Sequence, residues 1–164
     1  MTPRDMVLTP MGLRVMGRII PCSIGKGGIR TAKREGDGAT PRGNHGIVGC
    51  LYRPDRMARP VPWAVPIGPG DLWSDDSSCP DYNKMVRVPY TGTHERLSRA
   101  DCLYDLVLLT DWNWPIAHPG HGSAIFLHRW RKPGHPTEGC IAMAPEHLLW
   151  LARHLRLGAR LIVR

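Results

Sequence analysis

Glycine and proline punctuate this chain from end to end, and that constrains its fold more than any other feature. Among 164 residues there are 18 Gly and 16 Pro, and neither type is gathered into one tract. Glycine tolerates the positive φ angles of tight turns, while proline fixes φ and withdraws a backbone donor, so both interrupt helices. Spread in this way, they favour many turns between short strands over a bundle of helices. The hydrophobic share of 42% is a little low yet enough for a packed core, and the length fits one domain over residues 1–164. The expected fold class is mainly β with one or two helices.

A pass along the chain assigns the elements. Leu13 to Cys22 alternates partly and reads as a strand or strand pair. Gly25 to Gly43 is glycine-rich and charged, hence loop, and Gly46 to Tyr52 is a short strand. Pro54 to Gly70 holds five prolines, which excludes a helix interior and suggests an extended flap. Met85 to Val88 and Leu103 to Leu109 read as strands, the second nearly all apolar and therefore central. Asp111 to Gly122 is a polar loop, and the apolar run Ser123 to Leu127 is a buried strand. Pro145 to Leu157 is a helix, with proline at its first position and Leu148, Leu149, Leu151, Ala152 and Leu155 as an apolar stripe. Gly158 stands where a left-handed cap would close it, and Ala159 to Val163 returns as a strand.

Charge and motifs exclude several function classes. The net charge of +8 attracts anionic partners. There is no aromatic-basic RNA motif, helix-turn-helix signal or zinc-finger spacing, so nucleic acid is not the expected partner. No run reaches the ~18 apolar residues of a membrane span, so no stable membrane insertion is expected. "KREGDG" lacks the phosphate-loop spacing. The histidines at 118, 121, 128 and 135 include no H-E-x-x-H, and the cysteines no C-x-x-C, so no metal site is expected. Five cysteines leave at least one unpaired within the chain. Cys22, Cys50, Cys79 and Cys102 either form up to two disulfides or are buried thiols. Nothing in the sequence sets an oligomeric state.

The remaining thiol carries the chemistry. Cys140 follows Gly139 in "PTEGC", twelve positions after His128. A thiol after a small residue, with a histidine one loop away, is what nucleophilic acyl transfer needs. The thiolate attacks a carbonyl, the imidazole moves the proton, and the glycine lets backbone N–H groups approach the oxyanion. The competing interpretation is a buried structural cysteine beside a core histidine. Gly139 is a candidate to keep the nucleophile turn open, its amide and that of Cys140 forming the oxyanion hole. Thr137 would hydrogen-bond within the turn or hold substrate. Tyr82, Asn83, Trp112, Asn113, Trp114 and His121 fall in segments able to line a cleft, with core packing the plainer role for any one of them.

These residues carry a resemblance. His128, Thr137, Gly139 and Cys140 form the pattern His…(Ser/Thr)-x-Gly-Cys, which resembles the active-site signature of the YkuD-type L,D-transpeptidases. "GIRTAKREGDGATPRG", Gly28 to Gly43, resembles the "KxxGDxxTPxG" segment of the same family, and "PDYNKMVRVPY" to "SAIFLH" resembles its short members. The resemblance covers roughly Ile19 to Val163. It implies a β-sandwich-like catalytic domain that cross-links peptidoglycan stem peptides with Cys140 as nucleophile and His128 as base, the ring oriented by a backbone carbonyl and no cofactor required. Two positions depart from the widespread motif. Glu138 stands where many members have histidine, and Ala142 where many have arginine or asparagine, which the resemblance implies as a carboxylate clamp. Arg30, Arg34, Arg129 and Arg131 are candidates to replace that clamp, although a solvated charge is the default for each. The resemblance also implies work in the periplasm or cell wall, whereas the first twenty residues show no apolar stretch before a small-residue cleavage site. The compact size and the altered "TEGCIA" box lean towards a 1,3 cross-link over a 3,3 link. Hydrolysis of stem peptides, as an L,D-carboxypeptidase or endopeptidase, and a peptidoglycan-binding module with an idle thiol remain as alternatives.

Overall fold

The computed structural model describes Thr2 and residues 5–164. In chain order it contains β1 (Met6–Thr9), β2 (Gly12–Val15), β3 (Arg18–Ile20), β4 (Cys22–Ser23), β5 (Ile29–Arg30), β6 (Thr40–Pro41), β7 (Gly43–Tyr52) and β8 (Val65–Pro66). There follow β9 (Asp71–Ser74), β10 (Met85–Arg87), β11 (His94–Arg96), β12 (Leu106–Thr110), β13 (Phe126–Arg129), β14 (Ile141–Met143), helix α1 (Pro145–His154) and β15 (Arg160–Val163). The fold is thus mainly β with one helix among the described residues. No helix among them is long and apolar enough to cross a membrane.

The largest sheet runs β3-β2-β1-β15-β7-β12-β13-β14-β4, with β8 added beside β7. Its two edge strands, β3 and β4, are consecutive in the chain and separated only by Pro21. The sheet therefore curls until its edges nearly meet, which leaves little open edge for non-native pairing. Side chains alternate across it. Leu127, Ile141 and Met143 point to one face and join Leu8, Leu13, Cys50 and Leu108 in the main core. Helix α1 adds Leu148, Leu151 and Ala152 to that core, and each fully buried leucine contributes about 1.5–3 kcal/mol of apolar burial. Phe126, Val107 and Cys140 point to the other face. A three-stranded sheet, β10-β9-β11, lies over that face. Its Trp73 meets Phe126 edge-on, with ring centroids 4.9 Å apart.

Several expected elements move by a few residues for identifiable reasons. The strand read over Ser123 to Leu127 begins only at Phe126, because Ala124 has φ 51°, a left-handed conformation that ends an extended run. The helix stops at His154, since Leu155 adopts an extended conformation and is buried. Gly158, at φ 82°, donates its N–H to Ile47 O and turns the chain into β15 instead of capping the helix. The proline-rich segment is not a free flap: β8 pairs with β7, and Val61, Ala64 and Ile67 are buried. Strands β1, β9 and β11 were not legible, being three or four residues long with too few positions to establish a period. All five cysteines are free thiols.

Candidate active site

The site is built by the parallel pair β13 and β14. Their register places Leu127 beside Ile141 and His128 beside Ala142. Parallel neighbours need a crossover of about a dozen residues to bring the chain back to the same end of the sheet. That requirement explains the interval between His128 and Cys140. Alternation then puts Phe126 and His128 on the same face as Cys140 and Ala142. Cys140, His128 and Ala142 line one cleft of about 510 Å³, together with Lys33, Glu35, Asp75, Glu95, Arg99, Tyr104, Ser123, Arg131, Thr137 and Glu138.

The thiol is deeply set, with Cys140 only 9% exposed. Its Sγ donates to Ala124 O at 3.0 Å and accepts from the Phe126 N–H at 3.4 Å. The left-handed Ala124 turns its carbonyl onto the sulfur, a conformation costing about 1–2 kcal/mol for a residue with a Cβ. Burial pushes the Cys140 thiol up to about 12. The Glu95 charge adds to this, and the Phe126 N–H and Lys33 oppose it.

His128 is also buried, and burial pulls its pKa down to about 4 against the opposing effect of the Arg129 carbonyl. Its Nδ1 lies 2.7 Å from Arg129 O. A carbonyl only accepts, so Nδ1 carries the proton and Nε2 keeps a lone pair. The Tyr104 ring meets the imidazole edge-on at 5.4 Å and restrains its tilt. At neutral pH the resting pair is a thiol and a neutral imidazole, not a thiolate and an imidazolium.

The turn carrying Cys140 is held from two directions. Thr137 Oγ1 donates to Cys140 O at 2.6 Å and accepts the Gly139 N–H at 3.1 Å. The Thr137 backbone is pinned between Ile24 O and the Lys26 N–H. From the glycine-rich block, Thr40 Oγ1 donates to Gly139 O at 2.8 Å and accepts the Gly25 N–H at 3.0 Å. Gly139 has φ 143°, and a Cβ there would lie 2.8 Å from Ala39 O. Gly25 packs equally close, since its Cβ would lie 2.9 Å from Gly139 Cα. The glycines are therefore required by backbone contact as well as by conformation. In this state the Gly139 amide is engaged by Thr137.

The same block positions a charge. Lys33 is 7% exposed, and its Nζ donates to Asp37 Oδ1 at 2.7 Å and to Arg34 O at 2.5 Å. Burial works against the Asp37 carboxylate, but Lys33 and the amides of Arg34 and Ala39 outweigh it and bring its pKa below the usual value. The turn expected here is thus also a cleft wall carrying a buried ion pair.

The other candidates separate clearly. Thr137 and Glu138 line the cleft, and Glu138 is exposed and paired with Lys26 at 2.8 Å. Arg131 lines it too. Arg30 is exposed and bonds Gly27 O. Arg129 projects to the opposite face from His128, beside Asp105 and the start of α1. Tyr82 touches the cleft only indirectly, donating to Glu35 Oε2. Asn83 is a buried strut whose Oδ1 accepts from Trp73 Nε1 and the Ala124 N–H, while its Nδ2 donates to Trp112 O and Asn113 O. It therefore holds the strained Ala124 in place. Asn113 ties the loop together through His118 and Gly122, and His121 lies in that loop outside the cleft. Sequence reasoning missed Glu95, Tyr104 and Arg99. Glu95 sits on a three-residue strand and the other two in irregular chain, so no period or motif marked them.

The family model described as the L,D-transpeptidase catalytic domain YkuD matches residues 6–163. An L,D-transpeptidase from Mycobacterium smegmatis is similar in structure, with 15% sequence identity and a TM-score of 0.47. That match covers 99% of this chain, which spans 58% of the other. No curated protein matches the chain.

Proposed function

Because the chain belongs to the YkuD family of L,D-transpeptidase catalytic domains, we propose that it is a cysteine acyltransferase acting on peptidoglycan stem peptides, with Cys140 as nucleophile and His128 as base. The observation that carries this reading is that His128, in β13, and Cys140, one residue before its parallel neighbour β14, lie at the wall of one cleft. Family membership supplies the substrate class. It also supports work outside the cytoplasm, in the periplasm or cell wall.

Both groups start neutral, so the proton moves as attack proceeds. The thiol turns from Ala124 O towards His128, whose Nε2 takes the proton from Sγ while the sulfur adds to the donor carbonyl, and a charge pair is never stored at rest. The oxyanion develops next to the Cys140 amide, where one well-aimed donor contributes about 3 kcal/mol to the transition state. The imidazolium then protonates the leaving amine, leaving a thioester on Cys140. An amine of a neighbouring stem resolves it to a cross-link. With Ala142 in place of a basic residue, the cations of this cleft are Lys33, Arg99 and Arg131. Arg131 takes the carboxylate-binding role, Arg99 being held by Asp101, and Lys33 sets the local field. The altered Thr137–Ala142 box favours a 1,3 over a 3,3 link.

The test is intact-protein mass after incubation with purified tetra- and pentapeptide muropeptides, read beside the product spectrum. The wild type should gain an acyl adduct and release dimers, and Cys140→Ala should do neither. Fragmentation of the dimers identifies the joined positions, and 3,3 dimers alone would refute the 1,3 assignment. Shortened stems without dimers would mean hydrolysis. Neither adduct nor product from the wild type would refute the enzymatic reading and leave a binding role.

A further inference from the structure

Resting on the reading of this cleft as an acyl-transfer site, we infer that Glu95, with Asp75 beside it, receives the positively charged amine of the acceptor. Strand β11 pairs with β9 so that Glu95 stands opposite Trp73. Asp75 follows Trp73 by two positions and continues the ladder through its N–H to Thr93 O. Alternation sets Trp73, Asp75 and Glu95 on one face, and Trp73 shows which face that is, because it packs on Phe126. Both carboxylates line the cleft that contains Cys140, and Glu35 joins them from the glycine-rich block.

None of these three carboxylates is in a direct ion pair. Among the described residues no lysine or arginine forms an ion pair with any of them, while Lys33 and Arg99 are engaged by Asp37 and Asp101. Glu35 and Glu95 are held by tyrosine hydroxyls, Tyr82 to Glu35 Oε2 and Tyr104 to Glu95 Oε2. Independently, Asp75 Oδ1 is shielded from solvent and has no hydrogen-bond partner. A carboxylate with one oxygen buried and unpaired is costly, and an ammonium ion in the cleft beside Asp75 would offset its charge. The negative charge is local, since the chain as a whole carries +8. Burial, with repulsion from Asp75 and Glu35, raises the proton affinity of Glu95 against the opposing effects of Tyr104 and Arg99.

An acceptor amine arrives as an ammonium ion, which has no lone pair to attack with. Glu95 takes one proton and becomes a carboxylic acid, freeing the amine. The nitrogen lone pair attacks the thioester carbonyl, the C–N bond forms and the C–S bond breaks. Sulfur leaves as thiolate, and the second nitrogen proton passes through His128 Nε2 to the sulfur, restoring the thiol. Glu95 finally returns its proton to solvent.

The experiment preforms the acyl-enzyme on the full chain and lets it partition between water and an added nucleophile near neutral pH. Diaminopimelate serves as the cationic amine and hydroxylamine as a nucleophile that is neutral there. Glu95→Gln should lower the aminolysis-to-hydrolysis ratio with diaminopimelate by about tenfold or more. With hydroxylamine the ratio should change by less than about twofold, and Glu95→Asp should recover part of the loss. Only molecules that have been acylated are counted, so a partly misfolded variant does not obscure the result. An equal fall with both nucleophiles, or no fall with diaminopimelate, would overturn the inference. So would a variant that slows acylation by the donor at an unchanged partition ratio, since the carboxylates would then bind the donor. A wild type that never acylates would defeat the acyl-transfer reading itself, and this inference with it.

Discussion

Acidification should destabilise this protein through His128 in a way that removing the ring abolishes. In the unfolded chain a histidine titrates near 6.5, whereas burial holds His128 at about 4 in the fold. Between those values the unfolded state binds more protons than the folded state, so stability falls as pH falls. The full contribution is present above the unfolded pKa and is lost progressively below it, levelling off below about 4. Integrating between those limits gives a loss of about 2 kcal/mol at about pH 5, rising to about 3 kcal/mol near pH 4. The measurement is urea unfolding of the wild type and of His128→Gln, whose amide still offers Arg129 O a donor, from about pH 8 to about pH 4.5. His45, also lowered by burial, and Glu95, raised by burial, titrate in both chains and cancel in the difference. The wild type's advantage over the variant should shrink by about 2 kcal/mol between about pH 8 and about pH 5. An advantage constant within about 0.5 kcal/mol would refute the buried neutral imidazole. An NMR titration of the wild-type ring tests the same point without a substitution, since a midpoint near 6.5 would contradict it.

The same neutral pair predicts that the first-order rate of Cys140 acylation is flat from about pH 5 to about pH 9, because His128 and Cys140 change charge only near about 4 and about 12. A rise centred near neutrality would instead indicate a stored thiolate. Gly139→Ala should cost about 1–3 kcal/mol by overpacking and slow acylation, since its Cβ would lie 2.8 Å from Ala39 O and 3.1 Å from Ile125 Cδ1; normal stability in a thermal melt would count against the tight-turn account. Thr40→Val keeps the shape but removes the hydroxyl between the Gly25 amide and Gly139 O. It should cost about 1–3 kcal/mol and lower the acylation rate, and unchanged kinetics would show that this brace does not position the nucleophile. Leu151→Ala, in the fully buried face of α1, should cost about 2–5 kcal/mol in urea unfolding.

Much of the site was legible because its chemistry is tied to local sequence. The Gly-Cys turn and the histidine one loop upstream stand in a single window, and the geometry that joins them is one parallel crossover. Thr137 could be expected to bond within its turn because short hydroxyl side chains do so. The buried Lys33–Asp37 pair was only half legible. Its loop was expected, but packing against Gly122 and the cleft, which excludes water from the lysine, depends on distant chain. Arg129 illustrates the opposite difficulty. One residue along a strand reverses the face, so a side chain adjacent to the base in sequence stands on the far side of the sheet in space.

What the sequence determined by itself was the punctuation and the chemistry: a β-rich chain broken by glycine and proline, one amphipathic helix, and a thiol, a histidine and a threonine in fixed order. Those follow from backbone sterics and side-chain type, which act over a few residues. What only the tertiary structure decided was the environment of those groups. The near-closure of the sheet at Pro21 and the short sheet laid over its outer face are long-range events. They bring Glu95, Asp75, Tyr104 and Arg99 to the cleft from segments 36 or more positions before Cys140. Burial is a property of that assembled surround, and it is burial that keeps both Cys140 and His128 neutral at rest.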